Sequence, residues 1–357
     1  MAGTEGALDQ ARAMSFLERV MVDSAAAFSG LSTSIGARLG LYRAMAGAGS
    51  VTSTRLAEHT CLDERYVREW LAVQVAGEYV HYEPATATYS LPDEHAAVLA
   101  DSTSPVYVMG AFTMLKSLYA TEDALLDAYR TGHGISWQDH EPGLFEGVAS
   151  FFLPGYSASL VQEWLPALDG VREKLQRGAN VADVGCGFGY STLFMAKAFP
   201  NSTFRGFDSH VPSIEAAREQ ADRNNLSDRV TFEIVPAEDL PPGPYDLITF
   251  FDCLHDLGDP AAAFRRAKQQ LAADGSCMVV EPNTSADLLE SMNPIGRSFA
   301  ATSASLCLPA AVAQQGPHAL GNHAGEEAMR AIANEAGLQN WKLALASPTN
   351  RIYQVRP

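Results

Sequence analysis

The stretch NVADVGCGFGYST (180–192) decides how the chain is read. It begins with buried-strand chemistry and then breaks into three glycines, Gly185, Gly187 and Gly189, with an acid, Asp183, two positions ahead of the first. Glycines at that density are needed where backbone turns tightly and a ligand approaches with no Cβ in the way. The spacing is GxGxG. The dinucleotide fingerprint is GxGxxG, where a helix N-terminus meets a pyrophosphate. A glycine loop led by an acid suits a ligand with no pyrophosphate but with an amino-acid end.

Beyond this loop, short β-branched or aromatic runs alternate with amphipathic segments. TFRGFD, VTFEIV, YDLITFFD, SCMVVE, WKLALA and RIYQV read as further strands, with helices such as SIEAAREQADRNN (213–225) and PAAAFRRAKQQLAAD (260–274) between them. That alternation predicts a parallel sheet with crossover helices. Only SPTN (347–350) joins the last two strands, too short for a helical crossover, so they form an antiparallel hairpin. In an open α/β sheet, ligands bind at the edge formed by the strands' carboxyl ends. Asp208, nineteen residues after Gly189, ends the second strand, where an acid can bridge two ribose hydroxyls. Glu238 and Asp239 follow the third strand and can meet an adenine amino group. The fourth strand enters FFDCLHDLGDP (250–260), bringing Asp252, Cys253, His255, Asp256 and Asp259 to the same edge. His255 and Asp256 would face the substrate there.

The N-terminal half is helical and rich in alanine and leucine. Within it, residues 53–91 read as a helix, a turn near Cys61 and Leu62, a second helix and a two-stranded hairpin: a winged helix-turn-helix. Residues 51–100 hold three arginines and no lysine against eight carboxylates, a net of −5, and the whole chain carries −17. Nucleic-acid binding requires neutralised phosphates, so packing or dimerisation is the expected role. Five scattered cysteines without a CxxC pair fit free thiols in a reducing cytoplasm. The start MAGTEGALDQ has no secretory pattern, and no uninterrupted apolar run reaches a membrane span's length, so a cytoplasmic protein with no membrane partner is expected.

Together, the acid-led glycine loop, the strand-end acids and the closing hairpin resemble the class I S-adenosylmethionine-dependent methyltransferases over residues 179–357. The resemblance implies S-adenosylmethionine held by Asp183, Gly185, Gly187, Gly189, Asp208, Glu238, Asp239 and Asp252. LHDLGDP (254–260) resembles the H-D-W-x-D segment of the caffeic acid-type O-methyltransferases, which implies His255 as general base, with Glu281 at the fifth strand's end orienting it. Those enzymes carry an N-terminal winged-helix dimerisation domain. So do a set of actinobacterial methyltransferases that the chain resembles over most of its length, and a homodimer follows. Two positions depart from the pattern: Leu257 replaces the tryptophan, and His323 falls where plant-type enzymes carry a second glutamate. Two imidazoles and a carboxylate (His255, Asp256, His323) are the composition of a facial metal triad. The chain is similar in this to the α-keto acid C-methyltransferases, which implies a divalent metal such as Zn, Fe, Mn or Ni.

The leading expectation is therefore metal-assisted C-methylation at the β-carbon of a 2-oxo acid in specialised amino-acid or natural-product metabolism. The metal would stabilise the enolate as a Lewis acid, and Arg351 and Arg297 would neutralise the carboxylate. O-methylation of a phenol or enol with His255 as base is the alternative. A winged-helix transcriptional regulator is the reading from another class, opposed by the acidic helix pair. An NAD-dependent oxidoreductase is opposed by the GxGxG spacing and the terminal hairpin. The expected plan is a helical winged-helix dimerisation domain (1–105), a helical linker and substrate wall (106–178) carrying Trp137, Phe145, Phe152 and Tyr156, and an α/β, seven-stranded Rossmann-like catalytic domain (179–357) with a lid at 284–322.

Overall fold

The computed structural model describes residues 8–357, so the first seven positions of the expected N-terminal domain lie outside the described residues. The chain forms two compact units, one ending at Lys116 and the other spanning Ser117–Pro357.

In the first unit a long helix, Gln10–Arg38, precedes the helix pair Ser53–Thr60 and Glu64–Ala76. The turn between the pair comes where the sequence pattern puts it. Cys61 takes a left-handed conformation (φ +55°), and Asp63 caps the second helix by accepting the amides of Arg65 and Tyr66 at 2.9 and 3.3 Å. Strands β1 (His81–Glu83) and β2 (Thr88–Ser90) pair antiparallel as the wing. Trp70 anchors the core. Its indole donates to the Ser32 carbonyl at 2.9 Å, and its ring lies 2.5 Å from where a Cβ on Gly36 would stand, so only glycine fits there. The long helix leaves a run of apolar side chains uncovered, with Phe16, Val22 and Phe28 exposed by 68, 70 and 81%.

In the second unit all seven expected strands form one sheet: β3 (Asn180–Val184), β4 (Thr203–Asp208), β5 (Val230–Ile234), β6 (Tyr245–Phe251), β7 (Leu271–Pro282), β8 (Asn340–Ala346) and β9 (Asn350–Arg356). Their order is β5-β4-β3-β6-β7-β9-β8, parallel through β7, with β9 antiparallel to both β7 and β8. From β3 the chain first winds outward to β4 and β5 and then returns to β6, so the order reverses beside β3. That reversal opens a crevice beyond the strand ends. Strand residues alternate between two cores. Val181, Leu247, Met278, Val280 and Ile352 pack on one side, and Ala182, Ile248, Phe250, Val279 and Tyr353 on the other.

One helical stretch, Pro142–Ala167, is long and apolar enough (mean hydropathy 1.2) to cross a membrane by length and composition. Its Tyr156, Leu160 and Trp164 pack into the first of the two sheet cores. The insertion expected as a lid is helical: Pro294–Thr302 and Leu308–Ala313 flank a π-helical turn at Ser303–Cys307.

Candidate active site

The glycine loop after β3 has a separate reason for each glycine. Gly185, Gly187 and Gly189 all adopt positive φ (+72°, +52° and +74°). A Cβ on Gly185 would stand 2.7 Å from Cys253 Cβ, and one on Gly189 would stand 2.5 Å from the Phe232 ring. A Cβ on Gly187 would meet nothing within 4 Å. Two of the glycines answer to packing, whereas Gly187 faces the open space through which a ligand can approach the backbone.

Asp183 is placed differently from the expectation that it touches the ligand. Its side chain is fully buried, and its carboxylate accepts hydroxyl hydrogens from Ser191, Thr192 and Thr249 at 2.7, 2.5 and 2.8 Å. Burial raises its pKa, and the three hydroxyls pull it back. Asp183 therefore fastens β3, β6 and the helix Tyr190–Ala198 together beneath the loop.

At the tip of β4, Asp208 accepts the amide of Gly187 on Oδ2 at 2.9 Å and that of His210 on Oδ1 at 2.8 Å. Each oxygen keeps a lone pair for a hydroxyl donor. The Phe145 ring stacks on His210 with centroids 3.9 Å apart, and Trp137 meets Phe145 edge-on at 5.6 Å, so part of the expected aromatic wall stands beside this strand tip. Tyr156 instead lies in the core against Phe251, and Phe152 stacks on Tyr156. Glu238 and Asp239 occupy the exposed 3-10 turn after β5. The open face of Gly187 and the spare lone pairs of Asp208 are what an adenosine-bearing ligand would need.

Beyond β6 the backbone turns sharply. Asp252 adopts φ +48° with its amide on Val280 O at 2.8 Å, while Asn350 donates to both of its carboxylate oxygens at 2.8 and 3.0 Å. Burial and the Glu281 charge hold the Asp252 carboxyl well above its usual range. His255 follows in the 3-10 turn Leu254–Asp256 and is only 5% exposed. Its Nδ1–H donates to Glu281 Oε2 at 2.6 Å, and its Nε2 lies 3.3 Å from Asp256 Oδ1. Burial alone would lower the imidazole's pKa. The carboxylates of Asp256 and Glu281 more than offset it, and the net direction is well above the ordinary value. Asp259 serves the fold, capping the helix Pro260–Gln270 through the amide of Ala262 at 2.8 Å.

The triad expected from His255, Asp256 and His323 is not assembled. His323 Nε2 meets Ser291 Oγ at 2.9 Å, on the far stretch of the same insertion. The third group that converges with His255 and Asp256 is Cys307, whose thiol burial pushes up to about 12. Arg351 lies opposite Glu281 in the β7–β9 register, but its guanidinium reaches toward Glu326 at 4.0 Å. Arg297 is exposed on the helix Pro294–Thr302.

Comparisons with known proteins agree with this architecture. Residues 27–101 match the Rv2258c-like winged HTH domain family, and residues 175–337 match a methyltransferase domain family. Ajmaline N-methyltransferase of Rauvolfia serpentina is 27% identical over 176 residues, which are 47% of this chain and 60% of that enzyme. The chain thus spans about three fifths of that relative's length. The structure of the mitomycin 7-O-methyltransferase superimposes with a TM-score of 0.68 at 20% identity, covering 98% of this chain and all of that one. Human N-acetylserotonin methyltransferase, solved in complex with S-adenosylmethionine, superimposes at 0.69 with 16% identity, covering 99% of each. The chain thus joins a winged helix-turn-helix domain to a methyltransferase domain, in the fold shared by those class I methyltransferase structures.

Proposed function

We propose that the protein methylates a hydroxyl of a small molecule, with His255 as the general base and Glu281 as the group that orients it. The hydrogen bond of 2.6 Å between His255 Nδ1 and Glu281 carries this reading. A carboxylate on Nδ1 fixes the ring's orientation and leaves Nε2 to take a proton. S-adenosylmethionine, when bound, supplies an electrophilic methyl group on a sulfonium. Gly187 and Asp208 hold it through an open backbone face and two spare acceptors, with Glu238 and Asp239 near its purine. Asp256 raises the basicity of His255 and leaves the acceptor's proton a strongly held destination.

The expected C-methylation of a 2-oxo acid required His323 beside Asp256 and an arginine on the acceptor's carboxylate. The hydrogen bond of His323 to Ser291 favours the base reading instead. Within the winged unit, Arg55, Arg65 and Arg68 each pair with a carboxylate of the same helix (Glu58, Glu69 and Glu64), which supports packing over phosphate recognition. The uncovered apolar side chains of the helix Gln10–Arg38 support a homodimer in which a second copy covers them. Five free cysteines suit a reducing compartment such as the cytoplasm.

The test is product analysis. Protein incubated with S-adenosylmethionine and a panel of phenols, enols and 2-oxo acids should yield S-adenosylhomocysteine and an O-methyl signal by NMR. Turnover confined to the oxo acids, with a new C-methyl group, would replace this reading with C-methylation.

A further inference from the structure

We propose that His255 Nε2, Asp256 and the thiol of Cys307 form a binding site for one thiophilic divalent cation, with Zn²⁺ as the reference ion, and that the bound ion blocks the base. The site differs from the expected triad in taking a sulfur from the insertion in place of a second imidazole. One ligand atom from each of the three residues lies within 4.8 Å of the other two. Nε2 and Asp256 Oδ1 are 3.3 Å apart, close to the roughly 3.3 Å that separates two ligands on a tetrahedral ion with bonds near 2.0 Å.

Three further observations fit a cation better than an accidental cluster. Asp256 Oδ1 is buried and makes no well-formed hydrogen bond, with only His255 Nε2 at 3.3 Å beside it, so its desolvation is one a cation would offset. Glu281 accepts from Nδ1–H, the outer contact that metal-bound imidazoles commonly make, and this contact orients Nε2 toward Asp256. Cys307 ends a π-helical turn, and insertions of this kind re-aim side chains at functional sites. The helix after it is pinned in place. Pro309 O accepts the Ile135 amide at 3.0 Å, while Gln314 donates to Asp256 O at 2.7 Å and accepts the Gly258 amide at 3.0 Å. The thiol is therefore held over the His255 turn by contacts on both sides.

The donor set is one nitrogen, one sulfur and one oxygen, with a fourth position open. That combination suits zinc and its softer neighbours over magnesium or calcium, which prefer oxygen. An ion on Nε2 occupies the lone pair that proton transfer needs. Only this consequence for activity rests on the base reading; the binding site does not.

The chelator-treated full-length protein is titrated with Zn²⁺ alone, without S-adenosylmethionine or acceptor, and followed by calorimetry and elemental analysis after gel filtration. One ion per chain is expected, with affinity falling by about two orders of magnitude in Cys307→Ser and in Asp256→Asn. Cys61→Ser, which alters an exposed thiol elsewhere, should bind as the unaltered chain does. Cobalt should show a thiolate charge-transfer band that disappears in Cys307→Ser, and circular dichroism establishes that each variant is folded. Wherever turnover is measurable, Zn²⁺ should inhibit the unaltered enzyme and spare Cys307→Ser. No stoichiometric ion, or binding unchanged by Cys307→Ser in a folded protein, overturns the site, and neither result bears on whether the protein transfers methyl groups.

Discussion

The backbone amide of Gly187 donates to Asp208 at 2.9 Å, so the glycine loop after β3 is fastened to the tip of the neighbouring strand. The loop's conformation is thus set before any ligand arrives. Gly187→Ala adds a methyl group at φ +52° in open space, a backbone cost of about 1 kcal/mol that lowers Tm by roughly 2–4 °C. S-adenosylhomocysteine affinity should fall at least about tenfold, because preorganised backbone contact is what the methyl obstructs. Gly189→Ala presses on Phe232 and should cost about 1–3 kcal/mol beyond its own strain. Calorimetry and thermal melts compare the two, and equal affinity of Gly187→Ala and the unaltered protein for the cofactor product contradicts the proposed approach.

Replacing His255 by alanine should reduce turnover by roughly 10²–10⁴. Glu281→Gln keeps a hydrogen-bond partner on Nδ1 but removes its charge, and a smaller loss is expected. Initial rates of S-adenosylhomocysteine release measure both. A folded His255→Ala that loses less than about tenfold is not missing its base.

The pH profile has a defined sign. The base form of His255 is the neutral ring, and the neighbouring carboxylates raise its pKa, so kcat/KM should climb as pH rises through a value on the alkaline side of an ordinary imidazole. Asp256→Asn removes one of those charges and should move the climb to lower pH. An alkaline displacement in that variant is incompatible with the arrangement.

Thr249→Val removes one of the three hydroxyl donors to the buried Asp183 while keeping the side chain's shape. A cost of about 1–3 kcal/mol is expected, read as a lower denaturation midpoint in urea. A neutral outcome would show that Ser191 and Thr192 suffice.

The helix Gln10–Arg38 carries Val22 and Phe28 at 70 and 81% exposure. Light scattering should return twice the chain mass, and Val22→Glu with Phe28→Glu should return the single chain. A monomer without those substitutions would refute the dimer.

Much of this architecture was legible because its signals are local. Strands and helices alternate with different hydrophobic periods, and a connection of only three residues (347–349) between β8 and β9 admits nothing but a hairpin. The pairing of His255 with Glu281 was legible too, because both follow directly from two adjacent parallel strand ends. The role of Asp183 was harder to see. Its partners Ser191, Thr192 and Thr249 are ordinary helix and strand residues, and only the β3–β6 register brings Thr249 opposite it. Cys307 carried no signal at all. It lies in an insertion of small and apolar residues, and its direction depends on a π-helical turn that no period in the sequence announces. His323 shows the converse: a spacing borrowed from other enzymes put an imidazole near the site, and the fold sets it against Ser291 instead.

The position of β9 has a consequence for biosynthesis. It lies between β7 and β8, so a ribosome has made every parallel strand before the second partner of β7 emerges. During that interval β7 presents a bare apolar rim, the kind of edge that recruits other chains into aggregates. Asp252 also waits for Asn350, which arrives with the same segment. Nascent chains halted ahead of residue 340 should accordingly cling to holdase chaperones in a pull-down, and their release should coincide with synthesis of the closing hairpin.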